Sequence, residues 1–184
     1  MILLSAAEGW LSQNEVEKSQ KLAKEVAAAE STPDVQEAAA ALLKKVERLN
    51  KPLDVKFKAI DGREVDVQAM KGKVVLLDFW ATWCAPCMKE LPNVKAAYEK
   101  LHPKGFEIVG ISFDQDQDKL ESVVEREKMA WPQHFDPSGQ NKFGQQFGIT
   151  GIPTMWLVDK RGNLRDLNAR EDLAGKVEKL LAEN

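Results

Sequence analysis

An apolar, β-branched run that ends at a pair of cysteines restricts the fold of this chain more than any other stretch. Val74-Val75-Leu76-Leu77 has the length and composition of a buried strand, and it passes through Asp78-Phe79-Trp80 into Cys84-Ala85-Pro86-Cys87. The sequence predicts a strand turning into a helix, with the only two cysteines among 184 residues at the turn. A helix that begins near Cys84 sets that sulfur against the free N–H groups of the first turn and the positive end of the helix dipole. Both favour thiolate over thiol, so Cys84 is the expected nucleophile. The short spacing within one helical turn lets the Cα atoms approach the roughly 5.5 Å of an unstrained disulfide. Pro86 suits the first turn, where its missing N–H is not needed. Cys87, a turn deeper, is expected to be more buried and to resolve the mixed disulfide that Cys84 forms. That step needs a proton acceptor. Asp78, near the end of an otherwise apolar strand, is the candidate, because burial raises a carboxyl pKa toward the range useful for acid–base work.

Metal readings of the pair are weaker. A zinc site needs two further ligands, and the chain offers only His102 and His134, with no second cysteine pair. Haem attachment needs a histidine directly after the second cysteine, where Met88 stands. No metal and no organic cofactor is expected. A formal charge of −3 gives no reason to propose nucleic acid or an anionic membrane as partner. No apolar run reaches the roughly eighteen residues of a membrane span.

Asp78-Phe79-Trp80-Ala81-Thr82-Trp83-Cys84-Ala85-Pro86-Cys87 resembles the active-site segment of the thioredoxin superfamily. Its flanks, Lys71 to Leu77 and Lys89-Glu90-Leu91-Pro92, resemble the TlpA/ResA-like branch of thiol-disulfide oxidoreductases, which is related to the AhpC/TSA and redoxin proteins. A second segment, Gly148 to Asp159, matches where the family places a cis-proline loop against the cysteines, with Pro153 at the matching position. The resemblance runs from about Leu53 to the C-terminus and leaves the first fifty or so residues uncovered.

What the resemblance implies is an α/β fold, a thioredoxin-like three-layer sandwich with a central mixed sheet, preceded by a β-hairpin extension. It implies dithiol–disulfide exchange with protein substrates, a separate redox partner and a periplasmic or membrane-associated location outside the cytoplasm. Pro153 and the backbone of Ile152 would present the substrate chain, with Trp83, Ala85, Pro86 and Ile152 as the apolar surround. Some ResA-like proteins place a catalytic acid near the loop after the second core strand, so Asp114 joins the candidates. Many TlpA-like relatives carry another residue where Asp78 stands. Asp78 brings this chain closer to thioredoxin itself, which tilts the expected direction toward reduction. A peroxiredoxin-like peroxidase is the alternative enzyme, but Leu77 and Ala81 stand where its proline and threonine would be. The alternative from another class is a binding module that works through its N-terminal helices and holds the cysteines reduced or metallated.

Residues 1–50 read as an N-terminal helical hairpin and 51–184 as the thioredoxin-like domain, divided at Asn50-Lys51-Pro52, where proline ends the helix. Val16, Leu22, Ala23 and Val26 give the first helix a thin apolar face; Val35, Ala39, Leu42, Val46 and Leu49 give the second a cleaner one. Ser31-Thr32-Pro33-Asp34 reads as the second helix's start, with a capping hydroxyl and an early proline. Met1 to Ala7 reads either as the tail of a secretory signal or as a frayed helical turn. Downstream the pattern predicts a β-hairpin around Asp61-Gly62 and a helix to Leu101 interrupted by Pro92. A second core strand, Phe106 to Phe113, is expected parallel to the first. Then follow a helix from Leu120 to Ala130, a connection from Trp131 to Asp136 that leads through a short strand with His134 as a loop side chain, and a short helix near Gln140 to Phe147. A final hairpin, Thr154 to Asp159 with Leu164 to Leu167, precedes a closing helix from Glu171 to Glu183.

Overall fold

The computed structural model describes residues 2–12, 15–29 and 32–183. Helices α1 (Ile2–Ser12), α2 (Val16–Ala28) and α3 (Pro33–Val46) precede a short antiparallel pair, β1 (Lys56–Lys58) and β2 (Glu64–Asp66). There follow β3 (Val74–Trp80), α4 (Ala85–Leu101), β4 (Phe106–Ser112), α5 (Gln117–Arg126) and β5 (Gln133–His134). The chain ends with α6 (Lys142–Phe147), β6 (Thr154–Val158), β7 (Leu164–Asp166) and α7 (Leu173–Ala182).

The apolar run becomes β3, every residue of which is buried. It pairs in parallel with β4 and antiparallel with β6, at the centre of a mixed sheet of order β5-β4-β3-β6-β7. Its alternate residues feed two separate cores. Val74, Leu76 and Trp80 pack with Leu91, Val94 and Leu101 of α4 and Val177 of α7. Val75, Leu77 and Phe79 pack on the other side with Phe57 and Val65 of the β1–β2 hairpin and Phe143 and Phe147 of α6. Burial on both faces is why β3 reads as a continuous hydrophobic run rather than an alternating one. The three-layer thioredoxin-like sandwich with its hairpin extension is the observed architecture.

Pro92 lies inside α4 as expected, and the helix runs from Ala85 to Leu101 with Leu91, Val94, Ala97 and Leu101 as its buried face. Local departures have physical causes. His134 lies in a strand rather than a loop, buried between the rings of Phe57 and Phe143 at 4.9 and 4.8 Å. Desolvation there, with Lys142 nearby, pushes its pKa down to about 4. His102 is elsewhere, at the end of α4, with Nδ1 2.9 Å from the Phe106 carbonyl.

Periodicity predicts α2 and α3, and a third helix, α1, precedes them. Leu4 and Leu11 of α1 pack with Ala7, Ala23, Leu42 and Val46 in a small core of the helices' own, and that packing stabilises a helix too short to persist alone. Met1 and Ser31, which belong to two segments read above, lie outside the described residues. Thr32 is the N-cap of α3, with extended backbone but no side-chain capping bond, and Pro33 occupies the first turn.

The N-terminal helices meet the sheet layer at Gly148, just after α6. Gly148 has φ +68°, and a Cβ there would come within 2.9 Å of the Ala41 carbonyl oxygen on α3. Arg48 reinforces the contact by donating to the Gln146 carbonyl at 2.8 Å and lying 5.1 Å from the Phe147 ring centre. Gly148→Ala combines left-handed strain with this overlap and is expected to destabilise the protein by about 2 kcal/mol. Urea unfolding of the two proteins measures it; coincident curves would mean that α3 does not bear on this backbone.

Candidate active site

Four residues separate the end of β3 from α4, and the cysteine pair sits at the start of that helix. Cys84 is the N-cap, and its sulfur accepts a hydrogen bond from the Cys87 N–H at 3.2 Å. The two cysteines form a disulfide with Cα atoms 5.2 Å apart, within the range such a bridge prefers. Burial does not distinguish them: they are 5% and 6% exposed. Position does, because Cys84 alone sits at the mouth of the helix, where an N–H and the dipole stabilise a thiolate.

Around the pair the surface is apolar and accessible. Trp83 is 60% exposed, and Ala85 and Pro86 are exposed beside it. The Ile152–Pro153 peptide is cis. This loop leads into β6, where Thr154 pairs with Phe79, so it lies at the same end of the sheet as Cys84. Ile152 packs against the apolar cluster that contains both cysteines. Trp83, Phe113, Asp114, Gln115, Asp116 and Lys119 border a crevice of about 380 Å³.

The two candidate acids occupy opposite environments. Asp78 projects from β3 on the α4 side, in register with Met155, a neighbour of both cysteines in the same cluster. It is 4% exposed, and its Oδ1 has no hydrogen-bond partner among the described residues. Desolvation first, and the charge of Glu90 second, raise its pKa to about 7. Asp114, equally buried, is saturated as an acceptor. It takes hydrogen bonds from the Thr82 N–H at 3.0 Å, the Thr82 hydroxyl and the Ser112 hydroxyl at 2.7 Å. Asp114 thereby ties the end of β4 to the loop that delivers Cys84.

Glu90 is the site residue that sequence reasoning did not single out. It lies one helical turn after Cys87, on the same face of α4, which is the signal that points to it. Arg170 Nε holds its carboxylate at 3.2 Å and Asn93 donates to it at 3.1 Å.

Comparison with known proteins agrees with this geometry. The redoxin family model matches residues 27–182. The thiol-disulfide oxidoreductase ResA of Bacillus thuringiensis (strain Al Hakam) is 32% identical over 125 residues, which cover 66% of this chain and 71% of that protein. Among solved structures, the thioredoxin domain of a thiol-disulfide oxidoreductase from Bacteroides vulgatus superposes with a TM-score of 0.66 at 29% identity. It covers 72% of this chain and 97% of that domain. A thiol:disulfide interchange protein from a Bacteroides species gives 0.63 at 29% identity, covering 72% and 88%.

Asp78 makes stability depend on pH. Its carboxyl titrates near 7 when folded against 3.8 as the ordinary value. Folding therefore disfavours the charged form, and stability is full below about pH 4 and falls as pH rises through about 7. The difference amounts to ~4 kcal/mol at most. Asp78→Asn removes it. The variant is expected to be markedly more stable than the parent at pH 8 and no more stable near pH 4, as read from urea midpoints of the oxidised proteins. An equal gain at both pH values would contradict the assignment.

Proposed function

Because the chain belongs to the redoxin family, in its ResA-like thiol-disulfide oxidoreductase branch, we propose that it reduces disulfide bonds in protein substrates. The observation that carries the reading is Cys84 at the N-cap of α4, bonded to Cys87 beside the exposed Trp83, Ala85 and Pro86, with the cis Ile152–Pro153 peptide at the same end of the sheet.

The reduced enzyme starts the cycle. The Cys84 thiolate, stabilised by the Cys87 N–H and the helix terminus, attacks one sulfur of the substrate disulfide and expels the other as thiolate. The substrate chain lies along Ile152, where backbone hydrogen bonds beside Pro153 hold it with little regard to its side chains. Trp83, Ala85 and Pro86 cover its apolar parts. Cys87 then gives its proton to the Asp78 carboxylate, and its thiolate attacks Cys84 Sγ. The Cys84–Cys87 bond forms and the substrate leaves with both sulfurs reduced. A separate dithiol partner returns the enzyme to its starting state.

Asp78, with a pKa near neutrality, serves the resolving step as its base, and the likeness to thioredoxin at this position is the ground for proposing the reducing direction. Asp114 acts as a positioning residue that fixes the Thr82 loop, and Glu90 modulates Asp78 by its charge. The location implied by the family resemblance, outside the cytoplasm, is where protein disulfides persist. Among the described residues no helix is long and apolar enough to cross a membrane.

Cys87→Ser is expected to accumulate a mixed disulfide between Cys84 and a disulfide-bonded substrate, visible as a mass adduct, whereas Cys84→Ser forms none. Adducts on both variants, or on neither, would reverse or remove the assigned roles. Direction is read from the equilibrium potential of the couple in defined thiol buffers. A value near about −270 mV supports a reductant, and one near about −120 mV would make the protein an oxidant.

A further inference from the structure

Three residues stand in one row across the sheet. Asp78 on β3 is in register with Gly110 on β4, and Gly110 is in register with Gln133 on β5. Parallel partners project to the same face, so all three point toward the layer that contains α4. The middle position has no side chain, and the Gln133 amide fills it. A Cβ on Gly110 would lie 1.9 Å from Gln133 Oε1 and 2.8 Å from Nε2. The amide belonging to β5 thus rests above β4, one strand spacing, roughly 4.8 Å, from the strand that bears Asp78.

The orientation of that amide is fixed. Trp80 Nε1, which can only donate, gives its hydrogen to Gln133 Oε1 at 2.9 Å. Nε2 is then a donor without a partner among the described residues, just as Asp78 Oδ1 is an acceptor without one. Gln133 is 1% exposed. A buried donor and a buried acceptor left apart each carry a desolvation penalty, and a shared water relieves both.

Gln133 also lines a second opening. With Trp131, Met129, Val124 and Glu125 it borders a crevice of about 550 Å³ on the α5 side of the sheet. Trp131 Nε1 is a further buried donor without a partner among the described residues. The crevice is lined by residues of α5, the loop from α5 to β5, β5 and the β1–β2 turn, none of which belongs to the Cys84, Trp83 and Pro153 surface. A substrate disulfide-bonded to Cys84 covers that surface, and a proton released from Cys87 at that moment needs another exit.

We propose that Gln133 is a positioning residue for the acid–base step, its amide N–H holding the Asp78 carboxylate through one bridging water and directing the Cys87 proton to the α5 crevice. The S–H bond of Cys87 breaks and an O–H bond forms on Asp78; the proton then passes through the bridging water to solvent in the crevice. The charged groups that bear on this path are Glu90 on α4, held by Arg170, and Asp61, Glu121, Glu125 and Lys128 at the crevice mouth. The row partners of Asp78, Met155 and Gly110, are uncharged.

The inference rests on Asp78 being the base for Cys87, and the test separates the two. Reduced full-length protein is mixed with dithiobis-nitrobenzoate, and the second release of thionitrobenzoate reports Cys87 attacking the Cys84 adduct. Gln133→Met keeps the volume and removes the donor. A hydrogen bond to the carboxylate favours its charged form, so its loss raises the Asp78 titration. The pH midpoint of the second release is expected to rise by about one unit, with the rate near pH 7 falling about fivefold and recovering by about pH 9. Trp80→Phe combined with Gln133→Met removes the indole left without its acceptor and is expected to show the same shift if the single variant folds poorly. In an Asp78→Asn background, Gln133→Met should change nothing further. An unmoved midpoint, or equal slowing with and without Asp78, would overturn the role of Gln133 while leaving the base in place. A pH profile unaltered by Asp78→Asn alone would instead remove the base, and this proposal with it.

Discussion

Everything at the redox centre is referred to one strand held on every side. β3 is hydrogen-bonded on both edges and buried on both faces, so its end fixes where α4 begins. The same strand sets the height of the cis-proline loop through its pairing with β6 and brings Asp78 beneath the helix that carries Cys87. A thiolate at Cys84 would meet the Cys87 N–H without reorganisation, and such preorganisation is where electrostatic catalysis gains most.

That rigidity carries a cost that the chain has placed with care. A carboxylate on the central strand violates the apolar pattern of its neighbours, and the violation falls on the face that packs with the cysteine-bearing layer. Asp78 and Asp114 are both almost fully buried, but environment assigns them different work. Asp78 keeps an oxygen unpartnered among the described residues and has its pKa raised, which is what the proposed proton transfer asks of it. Asp114 spends its oxygens on Thr82 and Ser112 and serves as a fastening. Stability given up at Asp78 is recovered in the two cores that the alternation of β3 feeds.

The N-terminal helices are not remote from this arrangement. α3 approaches Gly148 closely enough to exclude a side chain there, and Gly148 opens the segment that ends in the cis peptide. Packing of the helical layer therefore reaches the segment that leads to the cis peptide, through contacts between residues about a hundred positions apart in the chain, as Arg48 and Gln146 illustrate.

Local order was legible in the amino-acid sequence, because local order is written in neighbouring residues. A β-branched run, two cysteines at one-turn spacing and a first-turn proline were enough to place β3, the start of α4, and Cys84 as its cap. Period and turn chemistry likewise placed the two hairpins and the closing helix. The segment around Pro153 was found through its resemblance to a known motif, not through physics visible in its own residues. What escaped was set by tertiary contact. α1 persists only by packing on its neighbours, His134 is buried only because Phe57 and Phe143 close over it, and Glu90 matters through Asp78 across the layer. The row of Asp78, Gly110 and Gln133 has no trace in the order of residues. Strand register creates it, and register is decided by how whole faces pack, since a shift of one residue would turn each of these side chains to the opposite side.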